Sequence, residues 1–386
     1  MKILMINYEF PPLGGGGAQA HYQLLQDYAG REGLEVDVLT SALGEGFWQE
    51  FFSNRITLYK IGLDKKNMHL WRKSEMLGWL MRAQKHYRVM LKEGDYDLVH
   101  AFFGFPSGWL CYRTAGKVPY MISLRGSDVP GINPRVQLEY KLLGWIFRRI
   151  WRKASLLVAC SEGLRERALR FLPSAEIEVI PNGVDLQRFK PKSNRILERR
   201  WRLLTVGRLS ASKRTELLIE AVGLLRASHP EITLTIAGGG ALMDSLPHQV
   251  REKGLSEVIR FLGVVSADKM PGLYQGHDIL VSATAQEGMS NAMLEGMACG
   301  LPIVTTRCEG VEELIGDNGV IVEEPSAAGL AEAVRGLLED GEVYDAMAQA
   351  ARKRAEEFTW GRVAEEYIKC YERTVQEVSV EKGTRD

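Results

Sequence analysis

Residues 278–302 read DILVSATAQEGMSNAMLEGMACGLP, and the alternation inside this stretch decides the fold class. Asp278-Ile-Leu-Val-Ser-Ala is a short apolar run of strand type. Ala292, Met293, Met297 and Ala298 then recur at helical spacing until Gly300-Leu-Pro302 stops the helix. Ser290 or Asn291 is the natural N-cap. The start of a helix offers unpaired N–H groups and partial positive charge, so it holds phosphate well. Glu287 sits on the loop beside that phosphate, and Glu295 about one and a half turns into the helix. A carboxylate accepts two hydrogen bonds at once, which suits a pair of sugar hydroxyls. A diphosphate with a hydroxyl-rich group at each end describes a nucleotide sugar.

The same strand–helix alternation extends outward in both directions. Residues 2–8, 34–40, 56–61, 97–102, 119–124, 155–160 and 176–180 read as strands, most of them followed by helical segments. A polar, basic stretch from Lys190 to Arg202 interrupts the pattern. A second series follows, with strands at 203–207, 232–237, 258–262, 278–282, 302–305 and 319–322. At 386 residues the chain is too long for one ordinary core. The expectation is therefore an α/β protein of two Rossmann-like, doubly wound domains facing across a cleft. Residues 1–190 form the first and 191–365 the second, and an amphipathic helix at 366–380 packs back on the first.

Apolar residues make up 45% and charged residues 25% of the chain, as in soluble globular proteins. Met1-Lys-Ile-Leu-Met-Ile-Asn-Tyr reads as a strand, not as a signal peptide, and no apolar run is long enough to span a bilayer. Five scattered cysteines without a C-x-x-C pair argue against a disulfide framework or a zinc site and suit the cytoplasm. Zero net charge hides an asymmetry: 26 Lys and Arg against 19 Asp and Glu in residues 1–190, and 23 against 30 in residues 191–386. The first half is thus suited to an anionic or lipid-linked acceptor, and nothing points to nucleic acid.

Leu203-Leu-Thr-Val-Gly-Arg208-Leu-Ser-Ala-Ser-Lys213 places two cations just past a strand of the second domain. There they can stabilise the charge that grows on a departing diphosphate. Gly14 to Gly17 follow the first strand and precede a helix, and Gly15, Gly16 and Gly17 let the backbone approach the leaving phosphate closely. Thr235-Ile-Ala-Gly-Gly-Gly240 and the turn containing Val264 either line a base pocket or serve as structural turns. Asp95-x-Asp97 suggests a cation site, but its position entering a strand favours a structural role.

These motifs, in this order, resemble glycosyltransferase family 4, and the likeness runs nearly end to end. They include Gly14–Gly17, Asp97-Leu-Val-His100, Ser123-Leu-Arg-Gly-Ser-Asp128, Ile180-Pro-Asn-Gly-Val-Asp185, Val206-Gly-Arg208 with Lys213, Glu287-x7-Glu295 and Phe358-Thr-Trp360. The resemblance implies a retaining enzyme of GT-B fold that uses a nucleoside-diphosphate sugar, with no cofactor and no bound metal. It implies that Arg208 and Lys213 bind the diphosphate, Glu295 the ribose diol, and Glu287 the transferred sugar. It assigns Gly288, Met289, Ser290 and Asn291 to sugar and phosphate contacts. On the acceptor side it points to His100, Arg125 and Asp128. Many relatives carry His-x-His where this chain reads His100-Ala-Phe102, and His-Gly where it reads Arg125-Gly126. Acceptor chemistry is accordingly where this chain departs most.

The donor reading leans to uridine, with guanosine behind it. Competing classes are a nucleotide-sugar epimerase, a glycosyl phosphorylase and a non-catalytic nucleotide-sugar-binding protein. An epimerase needs further acid/base carboxylates, and a cofactor-dependent phosphorylase needs a lysine for an aldehyde cofactor. Finally, Tyr140 to Lys153 and Trp71 to Lys92 mix bulky apolar residues with basic ones. Either Trp145, Ile146 and Ile150 pack on the sheet while the arginines face water, or such helices lie on an anionic membrane surface.

Overall fold

A computed structural model describes residues 1–65, 67–68, 70–131, 137–192 and 201–383, with side chains as far as 380. The chain divides into two units, Met1–Asn182 with Trp360–Asp386, and Gly183–Thr359.

In the first unit the strands are β1 (Lys2–Asn7), β2 (Glu35–Leu43), β3 (Phe47–Phe51), β4 (Ile56–Leu63), β5 (Leu98–Phe102), β6 (Tyr120–Leu124), β7 (Leu156–Ala159) and β8 (Ile177–Val179). They form one sheet in the order β3-β4-β2-β1-β5-β6-β7-β8. Every pairing is parallel except β3 with β4. All five residues of β5 and of β6 are buried, which requires cover on both faces and explains why they are apolar but for His100 and Ser123, which bond each other. Strand β3 was not expected. Phe47-Trp-Gln-Glu-Phe51 is mostly exposed and earns its place through edge pairing with β4, which leaves no apolar alternation to read.

The last helix, Trp360–Gly383, packs on Gly16–Tyr28 of the first unit. Its buried polar groups find partners there. The Tyr28 hydroxyl donates to Tyr371 Oη (3.0 Å), His100 Nδ1 lies 2.7 Å from the same oxygen, and Tyr367 Oη lies 2.9 Å from Ser123 Oγ. The helix starts at 360, not 366.

In the second unit β9 (Arg202–Val206), β10 (Thr233–Ala237), β11 (Ile259–Gly263), β12 (Ile279–Ser282), β13 (Ile303–Thr306) and β14 (Gly319–Val322) are all parallel. Their order is β11-β10-β9-β12-β13-β14. Counted within the unit this is 3-2-1-4-5-6, the doubly wound order in which the chain reverses direction between the first and fourth strands. Leu203, Leu218, Ile236, Ile279, Val281 and Val304 belong to its core. Asp278 pins the entry of β12 by accepting from the backbone N–H of Arg202 (2.9 Å).

The boundary between the units lies at Asn182/Gly183 and not at 190. Val184 N–H donates to Phe358 O (2.7 Å), Phe189 packs edge-on to Tyr274, and Gln275 donates to Lys190 O (2.8 Å). These contacts fasten residues 184–190 to the second unit. Residues 193–200 of the basic stretch lie outside the described residues.

Candidate active site

In doubly wound sheets ligands bind at the carboxyl ends of the strands, where the strand order reverses. In the second unit that point lies between β9 and β12, so the loops that follow these two strands decide the chemistry.

After β9 the chain runs through Gly207, Arg208 and a short 3-10 turn, Ala211–Lys213, into the helix Thr215–Leu225. After β12 it runs through residues 283–289 to Ser290, whose side chain accepts from Met293 N–H and caps the helix Asn291–Ala298. The two loops are stitched together. Ala285 N–H donates to Ser212 O (2.7 Å), and the Arg214 guanidinium donates to Ala283 O (2.9 Å) and Thr284 O (3.2 Å). Arg214 does this from left-handed backbone (φ 45°, ψ 42°), which turns the chain into its helix. From the far side Gly310 supports the second loop. At φ 75° a Cβ there would lie 2.2 Å from Gly288 O, so the contact requires glycine.

The stitching places Lys213 and Glu287 in an ion pair, Nζ to Oε2. Arg208 is exposed and has no ion pair among the described residues. Gly288, Met289 and Ser290 are buried, and Asn291 is half-buried at the helix start. The two glutamates differ in surroundings. Glu295, half-buried on its helix, accepts a hydrogen bond from the Tyr274 hydroxyl (2.8 Å). Burial pushes the Glu295 carboxyl up to about 7, although the Tyr274 hydrogen bond and the charge of Arg188 both pull it down.

Beyond β9, the neighbouring loops interlock. Gly207 N–H donates to Ala237 O (3.0 Å), Leu209 N–H to Gly239 O (2.9 Å) and Gly238 N–H to Gly263 O (2.7 Å). Gly238 has φ 142° and no room for a Cβ, which would lie 1.8 Å from Gly207 O. Val264 follows on the β11 loop with an exposed side chain, its Cγ2 close over Gly239.

In the first unit Gly15 precedes the helix Gly16–Tyr28. Its N–H donates to Glu9 Oε2 (3.1 Å), so a carboxylate of the chain already occupies this helix start. Gly14 makes room for the Glu9 side chain and Gly17 for the Phe103 ring. His100 is fully buried, its Nε2 2.7 Å from Ser123 Oγ and its Nδ1 against Tyr371. Burial, with His21 and Arg125 nearby, holds its pKa well below the usual histidine value. His100 is thus a neutral core residue that does not face outward to an acceptor. Asp128 is buried too and accepts from the backbone N–H groups of Gly104 (2.7 Å) and Arg125 (2.8 Å). Of the three acceptor-side residues only Arg125 keeps part of its surface. It donates to Asn182 Oδ1, lies over the Phe102 ring and pairs with no carboxylate among the described residues. Asp97 accepts from Lys2 N–H (2.7 Å). No group of three or more His, Cys, Asp or Glu that could hold a metal occurs among the described residues.

Comparison with known proteins shows the family and the fold. A model of Glycosyltransferase Family 4 matches residues 15–188, and one of Glycosyl transferases group 1 matches residues 187–354. D-inositol 3-phosphate glycosyltransferase of Arthrobacter sp. (strain FB24) is 30% identical over 396 residues, which cover 94% of this chain and 91% of that one. The chain is a family 4 glycosyltransferase. Glycogen synthase of Mycobacterium tuberculosis is 29% identical to this glycosyltransferase, with 96% and 94% of the two chains aligned. Among solved structures, sucrose-phosphate synthase from Thermosynechococcus elongatus superposes with a TM-score of 0.81 at 20% identity, covering 97% and 98% of the two chains. Anabaena HepE in complex with UDP and glucose gives 0.73 at 18%, covering 97% and 100%. These likenesses give the fold, GT-B.

In the second unit of the glycosyltransferase, Arg214, Tyr274 and Arg188, whose charge acts on Glu295, escaped the sequence reading, and in the first unit so did Glu9 at the Gly15 helix start. Arg214 sits one position after Lys213, and its role depends on a left-handed backbone that an arginine does not advertise. Tyr274 lies twenty-one residues before Glu295 on another helix, Met270–Gln275, where local sequence carries no signal for the pairing.

Proposed function

We propose that this glycosyltransferase moves a hexose from a nucleoside-diphosphate sugar, uridine first, to an acceptor hydroxyl with retention at the anomeric carbon and without a bound metal. The observation that carries the donor half is the Lys213–Glu287 ion pair, set where the strand order reverses beside a capped helix start. Arg208 and Lys213 meet the diphosphate, and the backbone at Gly288 to Asn291 completes its cradle. Glu295, oriented by Tyr274, accepts from the ribose diol. Glu287 accepts from the hydroxyls of the transferred sugar, and Val264 borders the base. HepE, solved with UDP and glucose and with UDP-glucose, supports uridine as the first base to try.

The transfer is a same-face substitution. The bond from the anomeric carbon to the phosphate oxygen breaks, the acceptor oxygen attacks from the same face, and the departing phosphate takes the acceptor's proton. Glu287 is the obvious candidate nucleophile among the described residues, and its pairing with Lys213 suits a sugar-binding role better. The two cations then contribute the main electrostatic stabilisation of the leaving group. On the acceptor side, the Arg125 guanidinium suits a phosphate or carboxylate. Relatives named for D-inositol 3-phosphate fit an anionic acceptor. We further propose a cytoplasmic reaction, because scattered cysteines without a C-x-x-C pair suit a reducing compartment; no helix among the described residues is long and apolar enough to cross a membrane.

The test is a thermal-shift screen of nucleoside diphosphates and their sugars, followed by turnover with candidate hydroxyl acceptors and NMR of the product. Release of diphosphate only with acceptor, and a product of the donor's anomeric configuration, is the expected result. An inverted product refutes retention. Binding without any turnover favours a non-catalytic module.

A further inference from the structure

The sequence left two outcomes open for the helix Gln137–Lys153, and the structure divides its apolar residues between an inner and an outer face. Ile150 is buried together with Gly144, Phe147 and Trp151, and these residues hold the helix to the first unit. Trp145 does not join them. It is 55% exposed, and Leu138 and Leu142 are 63% and 64% exposed. Leu138, Leu142, Trp145, Arg149 and Arg152 follow one another at intervals of four, three, four and three residues, which makes a single stripe on the outer face. Lys141 and Lys153 flank it, and Arg149 lies over the Trp145 ring (5.2 Å).

The helix Lys73–Glu93 repeats the pattern. Leu77 and Met81 are exposed, Met81 by 72%, and Lys85, Arg88 and Lys92 continue the stripe. Lys73 pairs with Glu139, so the two helices meet at their N-terminal ends, where both carry their exposed apolar residues. Lys85, Arg88, Lys92, Lys141, Arg149, Arg152 and Lys153 are all exposed and have no ion pair among the described residues. On a helical wheel neither stripe contains an Asp or Glu. Glu75 and Glu93 fall on the other side of their helix, and Glu139 is taken by Lys73.

Bulky apolar side chains next to unpaired cations are poor solvent-facing residues and a good match to a bilayer interface, where Leu and Trp enter the acyl boundary while Lys and Arg reach the headgroups. We propose that the outer faces of Gln137–Lys153 and Lys73–Glu93 dock this enzyme, as a peripheral protein, on an anionic membrane surface. Seven unopposed cations commit the partner to a negatively charged bilayer, since a neutral bilayer or an ordinary protein surface would leave them unmatched. The inference stands independently of the donor site, which lies in the other unit.

The test is sedimentation of the full chain with vesicles of equimolar phosphatidylglycerol and phosphatidylcholine, and with phosphatidylcholine alone. The enzyme is expected to pellet with the first and to stay in solution with the second, and its binding is expected to weaken as salt rises. Arg149→Glu with Arg152→Glu should raise the lipid needed for half-binding by roughly thirtyfold or more. Trp145→Ser with Leu142→Ser should weaken binding even at low salt. Lys85→Glu with Arg88→Glu probes the second helix and guards against misfolding of the first pair, and thermal melting checks every variant. Wild-type protein that stays in solution with anionic vesicles overturns the proposal. So does partition unchanged in all three variants, or a solution dimer that Trp145→Ser with Leu142→Ser disperses in a protein that binds no vesicles.

Discussion

Lys213 and Glu287 lie seventy-four residues apart and form an ion pair at the reversal point of the second sheet. The pair holds two loops in register, and each partner has a separate proposed task once a donor arrives. Lys213→Ala should lower kcat by about 10²–10³-fold, because it removes a charge that matters most as the phosphate departs. Glu287→Gln should cost less in kcat and more in discrimination between hexose donors. Steady-state kinetics with two donor sugars checks both outcomes.

Glu295 makes stability depend on pH. Its folded carboxyl titrates at about 7 against an ordinary value of 4.5, so between these limits the native state holds more protons than the unfolded chain. The contribution is fully present below pH 4.5 and is lost as pH rises through 7. Glu295→Gln stays neutral, so the nucleotide-free variant should be more stable than wild type at pH 8 by on the order of 2 kcal/mol. At pH 4.5 that difference should vanish. Urea titrations at the two pH values measure it.

Nucleotide binding should run the opposite way. A ribose diol is best met by the ionised carboxylate, so wild-type affinity should rise with pH up to about 7 and then level. Tyr274→Phe removes the hydrogen bond that favours the charged form, so the rise should shift to higher pH. Calorimetry across pH 5.5–8.5 reads the displacement, and an unchanged profile would remove Tyr274 from the donor site.

Gly310→Ala places a methyl 2.2 Å from Gly288 O, in a backbone conformation that favours glycine. The loop carrying Glu287 must move, and kcat/KM should fall at least tenfold while the protein remains folded. Gly238→Ala meets Gly207 O at closer range within the interlocked loops and should cost about 3 kcal/mol or more. Circular dichroism melts and kinetics together separate the two effects.

The sequence carried the β–α alternation because buried parallel strands are predominantly apolar on both faces, as β5, β6 and β12 show. It also narrowed the helix cap to Ser290 or Asn291, of which the structure uses Ser290, and carried the positions of Lys213 and Glu287, whose loops follow directly from strands. It could not show β3, whose residues face solvent. Nor could it show that Glu9 reaches the Gly15 N–H, or that His100 is enclosed by Tyr371 and Ser123 from elements far along the chain. Those facts depend on which strands become neighbours. The helix Gln137–Lys153 shows the same limit: its mix of apolar and basic residues left a packed and a membrane-lying helix both open, and only packing revealed that Ile150 turns inward while Trp145 turns out.

Calorimetric titration of the best-stabilising nucleoside diphosphate into wild type, Lys213→Ala and Glu295→Gln tests the donor site most directly. One ligand per chain, with affinity reduced at least tenfold in each variant, is the predicted result. Equal affinity in all three proteins would mean that the diphosphate and the ribose sit elsewhere, and would contradict the account.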